Sequence, residues 1–158
     1  MALGLSTQCF AQERSTVAHT DLPRLQSLVN DLRERLSIRH SVTVSLVPSN
    51  ALMMSVEAPA EPSGAFRLSI EASFLDVLSG DELEAAIAHE LGHVWVFTHH
   101  PFLQTEQLAN EIAMRVVSRD TLERVYEKVW KRGDTKGDLA RFLGPEPAVG
   151  LASTNQTR

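Results

Sequence analysis

The chain of 158 residues has little of what defines several classes of protein. Its single cysteine, Cys9, excludes an intramolecular disulfide. It has no block of lysine and arginine, and a formal net charge of -5 disfavours broad nucleic-acid binding. It also lacks the apolar run of roughly 18 residues that a membrane-spanning helix needs. With 43% hydrophobic and 22% charged residues, the remainder has the composition of an ordinary globular domain.

The two ends of the chain differ from its middle. Residues 2–11 are small and apolar, and residues 12–14 turn polar, which is typical of the end of a truncated secretory signal peptide within residues 1–11. A frayed N-terminus is the alternative. Cleavage after Ala11 would indicate a periplasmic or secreted protein without cysteine, and an uncleaved chain would indicate the cytoplasm. The small polar residues of 144–158 predict a disordered tail.

Hydrophobic spacing predicts one α+β domain over residues 20–143. A helical pattern covers 21–38, and strict alternation predicts strands at 41–47 and 66–70. The apolar segment 50–57 is a candidate hairpin partner of the first strand. Further helices are predicted at 73–78, 79–99, 105–118, 120–132 and 138–143.

The sequence His89-Glu90-Leu91-Gly92-His93 carries the chemistry. It lies in a helix that opens with Ser79 and Glu82 at capping-box spacing. Two histidines four residues apart share one helix face, so their imidazoles can bind the same zinc ion. Glu90 is rotated by about 100° from His89, so it is free to take a proton from a water molecule. A solvated helix with two incidental histidines is the alternative.

A third protein ligand is expected, because a catalytic zinc ion usually has three. Glu106 can supply it from the next predicted helix, which the turn at Pro101 would fold back along the first. Asn110 lies four residues later on the same face, where its side chain can hydrogen-bond the free ring nitrogen of a ligating histidine.

Other residues compete for the role of third ligand. His99, with His100 beside it, has the spacing of the pattern H-E-x-x-H-x-x-G-x-x-H. Val96 stands where that pattern has glycine, and a helix that continues through it turns His99 about 240° away from His93. Glu111 is the other candidate, with a solvated or ion-paired residue as its alternative.

The residues from Asp81 to His93 resemble the active-site helix of gluzincin peptidases of the HtpX-like and CAAX prenyl endopeptidase group. That helix typically reads D-E-L-x-A-V-x-A-H-E-x-x-H. The group continues with E-x-x-A-D on a second helix, and residues 106–110 match it with Asn110 in place of the aspartate. The likeness covers roughly residues 64–118 and has no counterpart of the group's membrane helices, so the chain resembles its soluble core, a minigluzincin.

The resemblance implies a zincin-like α+β fold, with a small sheet packed on the active-site helix and on a second ligand helix. It implies a Zn²⁺ ion held by His89, His93 and Glu106, and a metalloendopeptidase that hydrolyses peptide bonds with Glu90 as general base. The partner would be a peptide or protein substrate, aligned along an edge strand formed by Phe66–Ile70.

Two functional questions stay open at this stage. The donor that stabilises the oxyanion can be any one of Tyr126, His99, His100 and Arg115. Asn110 supports a histidine less strongly than an aspartate would, which leaves a zinc-binding but catalytically weak scaffold or regulatory protein as the alternative function. A helical interaction module without metal is a third hypothesis.

Overall fold

The computed structural model describes residues 22–61 and 63–145. The predicted signal peptide with Cys9, and most of the predicted tail, lie outside these residues and stay predictions. The described part has an α+β fold with a small three-stranded mixed sheet, as the sequence predicts. None of its helices is both long and apolar enough to cross a lipid bilayer.

The first helix, α1, covers residues 22–35 and confirms the helical pattern predicted there. It packs its apolar face into the core and ends in a Schellman motif, with Ser37 at a φ of 58° where glycine is usual. The Ile38 N–H donates to the Arg33 carbonyl at 2.9 Å, and the Ser37 N–H donates to the Glu34 carbonyl at 2.9 Å. The buried apolar side chains of this segment are Leu25, Val29, Leu32, Leu36 and Ile38.

The sheet has three strands, β1 (Val42–Val47), β2 (Met54–Glu57) and β3 (Phe66–Glu71), in the order β1-β3-β2. β1 runs parallel to β3, and β2 runs antiparallel to it. The strand prediction at 66–70 is confirmed, but the prediction that this strand is an edge is wrong, since β3 is central. The predicted hairpin of 41–47 with 50–57 is also wrong, because β3 lies between the two.

Between the sheet and residue 145, the structure has five helices: α2 (Ala72–Leu75), α3 (Gly80–His99), α4 (Glu106–Ala113), α5 (Arg119–Arg132) and α6 (Leu139–Leu143). α3 packs against β2, α4 and α5, so it is at the centre of the domain. α4 is shorter than the predicted 105–118. The N-cap of α5 is Ser118, two residues before the predicted capping residue Asp120, because Ser118 Oγ accepts from the Thr121 N–H at 3.2 Å.

The capping box at the start of α3 is confirmed. The Glu82 N–H donates to Ser79 Oγ at 3.4 Å, and the Ser79 N–H donates to Glu82 Oε2 at 2.7 Å. The Glu82 side chain is only 6% exposed and contacts Lys128 Nζ at 2.5 Å and Arg124 Nε at 3.7 Å on α5. The Lys128 ammonium, followed by the Ser79 N–H, lowers the pKa of Glu82 to about 2. This carboxylate therefore caps α3 and also holds it to α5.

Replacing Glu82 tests how much its carboxylate stabilises the fold and how this stabilisation depends on pH. We expect Glu82→Gln to lower the free energy of unfolding by about 2 kcal/mol at pH 7, because it leaves Lys128 half-buried without its charged partner. Since the folded pKa lies below the ordinary value of 4.5, the stabilisation is complete above about pH 4.5 and fades as the pH falls towards 2. Denaturant unfolding at several pH values measures it.

Glu84→Gln is the matched control on the same helix. Glu84 pairs with Arg35 at 2.8 Å, but its side chain is 33% exposed, so we expect a loss of only about 0.5 kcal/mol. Equal losses in the two variants, or a Glu82→Gln effect that persists unchanged at pH 2, would contradict the proposed role of Glu82.

Candidate metal centre

His89 and His93 lie one turn apart on α3, with their rings directed to the same point. The two Nε2 atoms are 3.2 Å apart, and the ring planes cross at 88°. Both side chains are partly exposed, at 16% and 21%, so the point on which they converge is open to solvent from one side.

Glu106 reaches the same point from α4. It is the first residue of that helix, whose start is fixed by Thr105, because Thr105 Oγ1 accepts from the Leu108 N–H at 3.1 Å. The Glu106 carboxylate places Oε2 at 3.2 Å from His89 Nε2 and Oε1 at 3.5 Å from His93 Nε2. The possible ligand atoms of these three residues all lie within 4.8 Å of one another.

The spacing of these atoms fits a tetrahedral metal ion. Ligand atoms bound at 2.0–2.1 Å on the corners of a tetrahedron lie about 3.3 Å from each other. The two Nε2 atoms are 3.2 Å apart, Oε2 lies 3.2 Å from one of them and Oε1 lies 3.5 Å from the other, all close to that value. Two imidazoles and one carboxylate are also a donor set that zinc prefers in catalytic sites. The residues therefore fit a zinc ion.

Asn110 fixes the tautomer of His89. The Asn110 amide nitrogen donates to the Phe142 carbonyl at 2.9 Å, and a carbonyl only accepts, so the amide oxygen faces the opposite way. That oxygen lies 2.8 Å from His89 Nδ1, which must therefore carry the hydrogen. In neutral His89 the lone pair is then on Nε2, where a metal ion would bind.

The histidines and carboxylates of the site shift each other's pKa values. Hydrogen bonds from His89 and then His93 hold the pKa of Glu106 far below its usual range. Burial disfavours the charged form of His89, but the nearby Glu106 and Glu90 carboxylates outweigh burial and raise its pKa. The field that favours a proton on His89 Nε2 also favours a metal cation, so metal uptake would release a proton.

Glu90 lies beside the three converging side chains and is not one of them. Burial raises the pKa of Glu90, and the two neighbouring histidines partly offset that effect. The Val56 N–H on β2 also favours the charged form of Glu90. Glu90 and Val56 line the same cleft.

A cleft of about 530 Å³ opens above these residues. One wall is formed by β2, the opposite wall by α5, and the polar floor by the histidines and the two carboxylates. Most of the remaining lining is apolar. It includes Leu52, Met54, Val56, Phe66, Phe74, Val94, Phe97, Leu122, Val125, Val129, Trp130 and Phe142.

Other candidates from the sequence lie apart from the three converging residues. His99 stacks on the Trp95 ring at 4.0 Å and hydrogen-bonds the Trp95 carbonyl, with His100 on the same ring at 5.9 Å. Arg115 lies over this ring at 4.9 Å. Glu111 is exposed and accepts from the Gln107 side chain at 3.0 Å. Of the four candidate oxyanion donors, Tyr126 is the one that lines the cleft.

Gly92 is a structural determinant of the site that sequence reasoning missed. A Cβ atom placed on Gly92 would lie 2.2 Å from the Ala109 carbonyl oxygen. The backbones of α3 and α4 are therefore in direct contact at this point, because Gly92 has no side chain. Ala109 is adjacent to Asn110 and three residues from Glu106. A glycine inside a helix lowers the stability of the helix by up to about 1 kcal/mol relative to alanine. Its presence inside the predicted helix could therefore have indicated a close packing contact.

The fold is similar to that of a solved metallopeptidase. The chain matches the crystal structure of the metallopeptidase zymogen of Pyrococcus abyssi abylysin with a TM-score of 0.51 and 12% sequence identity, over 72% of this chain and 99% of that chain. At this identity the similarity concerns the fold alone. No family model and no curated protein matches the sequence. The chain therefore has a metallopeptidase-like fold.

Changing Gly92 tests the contact between the two helices. We expect Gly92→Ala to lower the free energy of unfolding by about 2 kcal/mol, because the new methyl group forces α4 away from α3. The same displacement moves Glu106, so the affinity for any metal ion held by these three residues should fall at least about 10-fold. Thermal unfolding of the metal-free protein and competition with a chelator measure the two effects.

Gly80→Ala is the matched control, since a Cβ at Gly80, at the start of the same helix, would meet nothing within 4 Å. We expect this variant to be neutral or slightly more stable than the wild type. If the two alanine variants behave alike, the close approach at Gly92 does not position α4.

Proposed function

We propose that the chain is a zinc metalloendopeptidase in which His89, His93 and Glu106 hold the ion and Glu90 is the general base. The observation that supports this most is the convergence of two imidazoles and one carboxylate, with possible ligand atoms within 4.8 Å of one another, next to a carboxylate that lies outside the set. The similarity of the fold to a metallopeptidase zymogen is independent support. We further propose that the chain is a soluble gluzincin core of the HtpX-like and CAAX prenyl endopeptidase kind.

In the proposed reaction, a bound zinc ion and Glu90 would have different roles. A bound zinc ion would polarise the scissile carbonyl and lower the pKa of a water molecule towards about 7. Glu90 takes the proton from the attacking water and delivers it to the leaving amine. Its burial makes it a stronger base than an exposed glutamate.

The substrate would bind along β2 rather than along β3. The Glu71 N–H donates to the Met53 carbonyl at 2.8 Å, and alternation in an antiparallel ladder then turns the backbone groups of Met54 and Val56 away from β3. β2 is an edge strand whose residues line the cleft beside Glu90. An extended peptide added to this edge would pass directly over the floor of the site.

The lining of the cleft indicates which peptides would fit. Apart from the floor, it consists mainly of aliphatic and aromatic side chains from β2, α3 and α5, with Phe97 exposed at the rim. Burying an apolar substrate side chain there is favourable by about 25 cal/mol per Å². We therefore propose substrates with a bulky apolar residue next to the scissile bond.

Removing the proposed base separates catalysis from metal binding. We expect Glu90→Gln to lower the hydrolysis of a diverse peptide library by about 1,000-fold, because the amide cannot accept the proton from water. Elemental analysis should still find about one zinc ion per chain, since Glu90 is not a proposed ligand. Glu111→Gln, on the exposed face of α4, is the control that should leave both values unchanged.

Two results would contradict this assignment. Full activity in Glu90→Gln would remove Glu90 from the mechanism. A wild-type protein that holds a full complement of zinc and cleaves no peptide in the library would favour the zinc-binding scaffold or regulatory protein instead.

Removing the third carboxylate tests the metal site itself. We expect Glu106→Ala to weaken zinc binding by at least about 100-fold in chelator competition, because residues that only orient a ligand already contribute about 10–100-fold. His99→Ala is the matched control, since this histidine stacks on Trp95 away from the site. A loss of zinc in His99→Ala with retention in Glu106→Ala would overturn the proposed ligand set.

A further inference from the structure

Asn110 is a fully buried amide that makes three hydrogen bonds. It is 0% exposed on α4, four residues after Glu106. Its oxygen lies 2.8 Å from His89 Nδ1. Its nitrogen donates to the Tyr126 hydroxyl at 2.7 Å and to the Phe142 carbonyl at 2.9 Å. Both amide hydrogens and one lone pair are therefore in use, by partners on three different helices.

An aspartate could not replace this asparagine in the same geometry. One of its oxygens would still accept from His89, but the other would face the Phe142 carbonyl, which is also an acceptor. Two acceptors at 2.9 Å in a buried position repel each other, so α6, which carries Phe142, would have to move. The asparagine that replaces the aspartate of the resembled motif at residue 110 is thus matched by the Phe142 carbonyl, which needs a donor.

Tyr126 supports the Asn110 amide from α5. Its hydroxyl oxygen accepts from Asn110, so its own hydrogen is free to donate in another direction. Burial first, and then the charges of Glu106 and Glu90, raise the pKa of Tyr126, which keeps the hydroxyl protonated and able to donate. Its ring packs edge-on against His89 at 5.9 Å.

We propose that Asn110 and Tyr126 are positioning residues that hold the His89 ring through one hydrogen-bonded chain, and that the Phe142 carbonyl anchors this chain to α6. The proposal rests on the metal site of the proposed function. The His89 ring would then be held in one orientation before the metal binds, which lowers the reorganisation that binding requires.

The anchor is itself firmly held. Arg119, the first residue of α5, donates to the carbonyls of Leu143 at 2.8 Å and Gly144 at 2.9 Å, just after Phe142. The Phe142 ring contacts Tyr126 at 5.2 Å and Trp130 at 5.9 Å. α6 therefore packs on α5 by both backbone and side chain, and the position of this short helix is transmitted to His89 through the Asn110 amide.

Asn110→Asp and Tyr126→Phe test the proposal in the full-length chain, with Co²⁺ as the probe metal. Tyr126→Phe removes the hydroxyl and keeps the ring. We expect each variant to bind Co²⁺ about 10–100-fold more weakly and to shift its visible absorption bands, which report ligand geometry and not overall stability. Amide hydrogen exchange should show α6 at least about 10-fold less protected in Asn110→Asp and unchanged in Tyr126→Phe.

Gln107→Glu is the matched control, because it makes the same change from amide to acid on the exposed face of α4. It should leave the Co²⁺ affinity, the absorption spectrum and the α6 protection at their wild-type values. The double variant Asn110→Asp with Tyr126→Phe should lose less affinity than the product of the two single losses, since both break one chain.

The outcomes distinguish this proposal from the one on which it rests. Co²⁺ binding by Asn110→Asp that is as tight as in the wild type, with α6 equally protected, would overturn it, because an aspartate would then serve as well as the amide. Multiplicative losses in the double variant would overturn the link between the two residues. A wild-type chain that binds no Co²⁺ would instead overturn the metal site, and α6 protection would still test the amide anchor.

Discussion

The contact between α3 and α4 at Gly92 is the constraint on which the site depends. His89 and His93 are on one helix and Glu106 is on the other, so no local sequence spacing can bring the three together. The helices must approach until the Ala109 carbonyl lies against the face of α3, and only a residue without a side chain allows that distance. The same approach carries Asn110 to the Nδ1 atom of His89. The absence of a side chain at Gly92 thus lets both Glu106 and Asn110 reach the two histidines.

The electrostatics of the site follow from this crowding. Two imidazoles and two carboxylates share a partly buried space, and their environments separate the two acids. Glu106 accepts from both histidines, which lowers its pKa, so it stays charged at pH values well below its usual pKa. Burial instead raises the pKa of Glu90. Carboxylates whose environments differ in this way can take different roles, one as a permanent charge and one as a proton carrier. The division matches the proposed ligand and base.

The sequence predicts the helical half of this structure better than the sheet. α3 is predicted by its capping box and apolar period, and the helix ends at His99 as expected before Pro101. Glu106 and Asn110 are predicted from shared helix faces. Alternation along 66–70 shows which face of β3 is buried but not which strands lie beside it, so the edge strand was assigned wrongly. The Phe142 carbonyl was beyond prediction, because every residue type has that acceptor.

The open edge of β2 has a consequence for how the molecule behaves in a crowded solution. An edge strand that can receive a peptide can equally pair with the same strand of another molecule. Here the edge is only four residues long, it ends on the charged Glu57, and Pro59 follows two positions later. Such a short, charged and proline-terminated edge offers few ladder bonds to a second copy. It can therefore stay accessible to transient ligands without promoting the growth of aggregates.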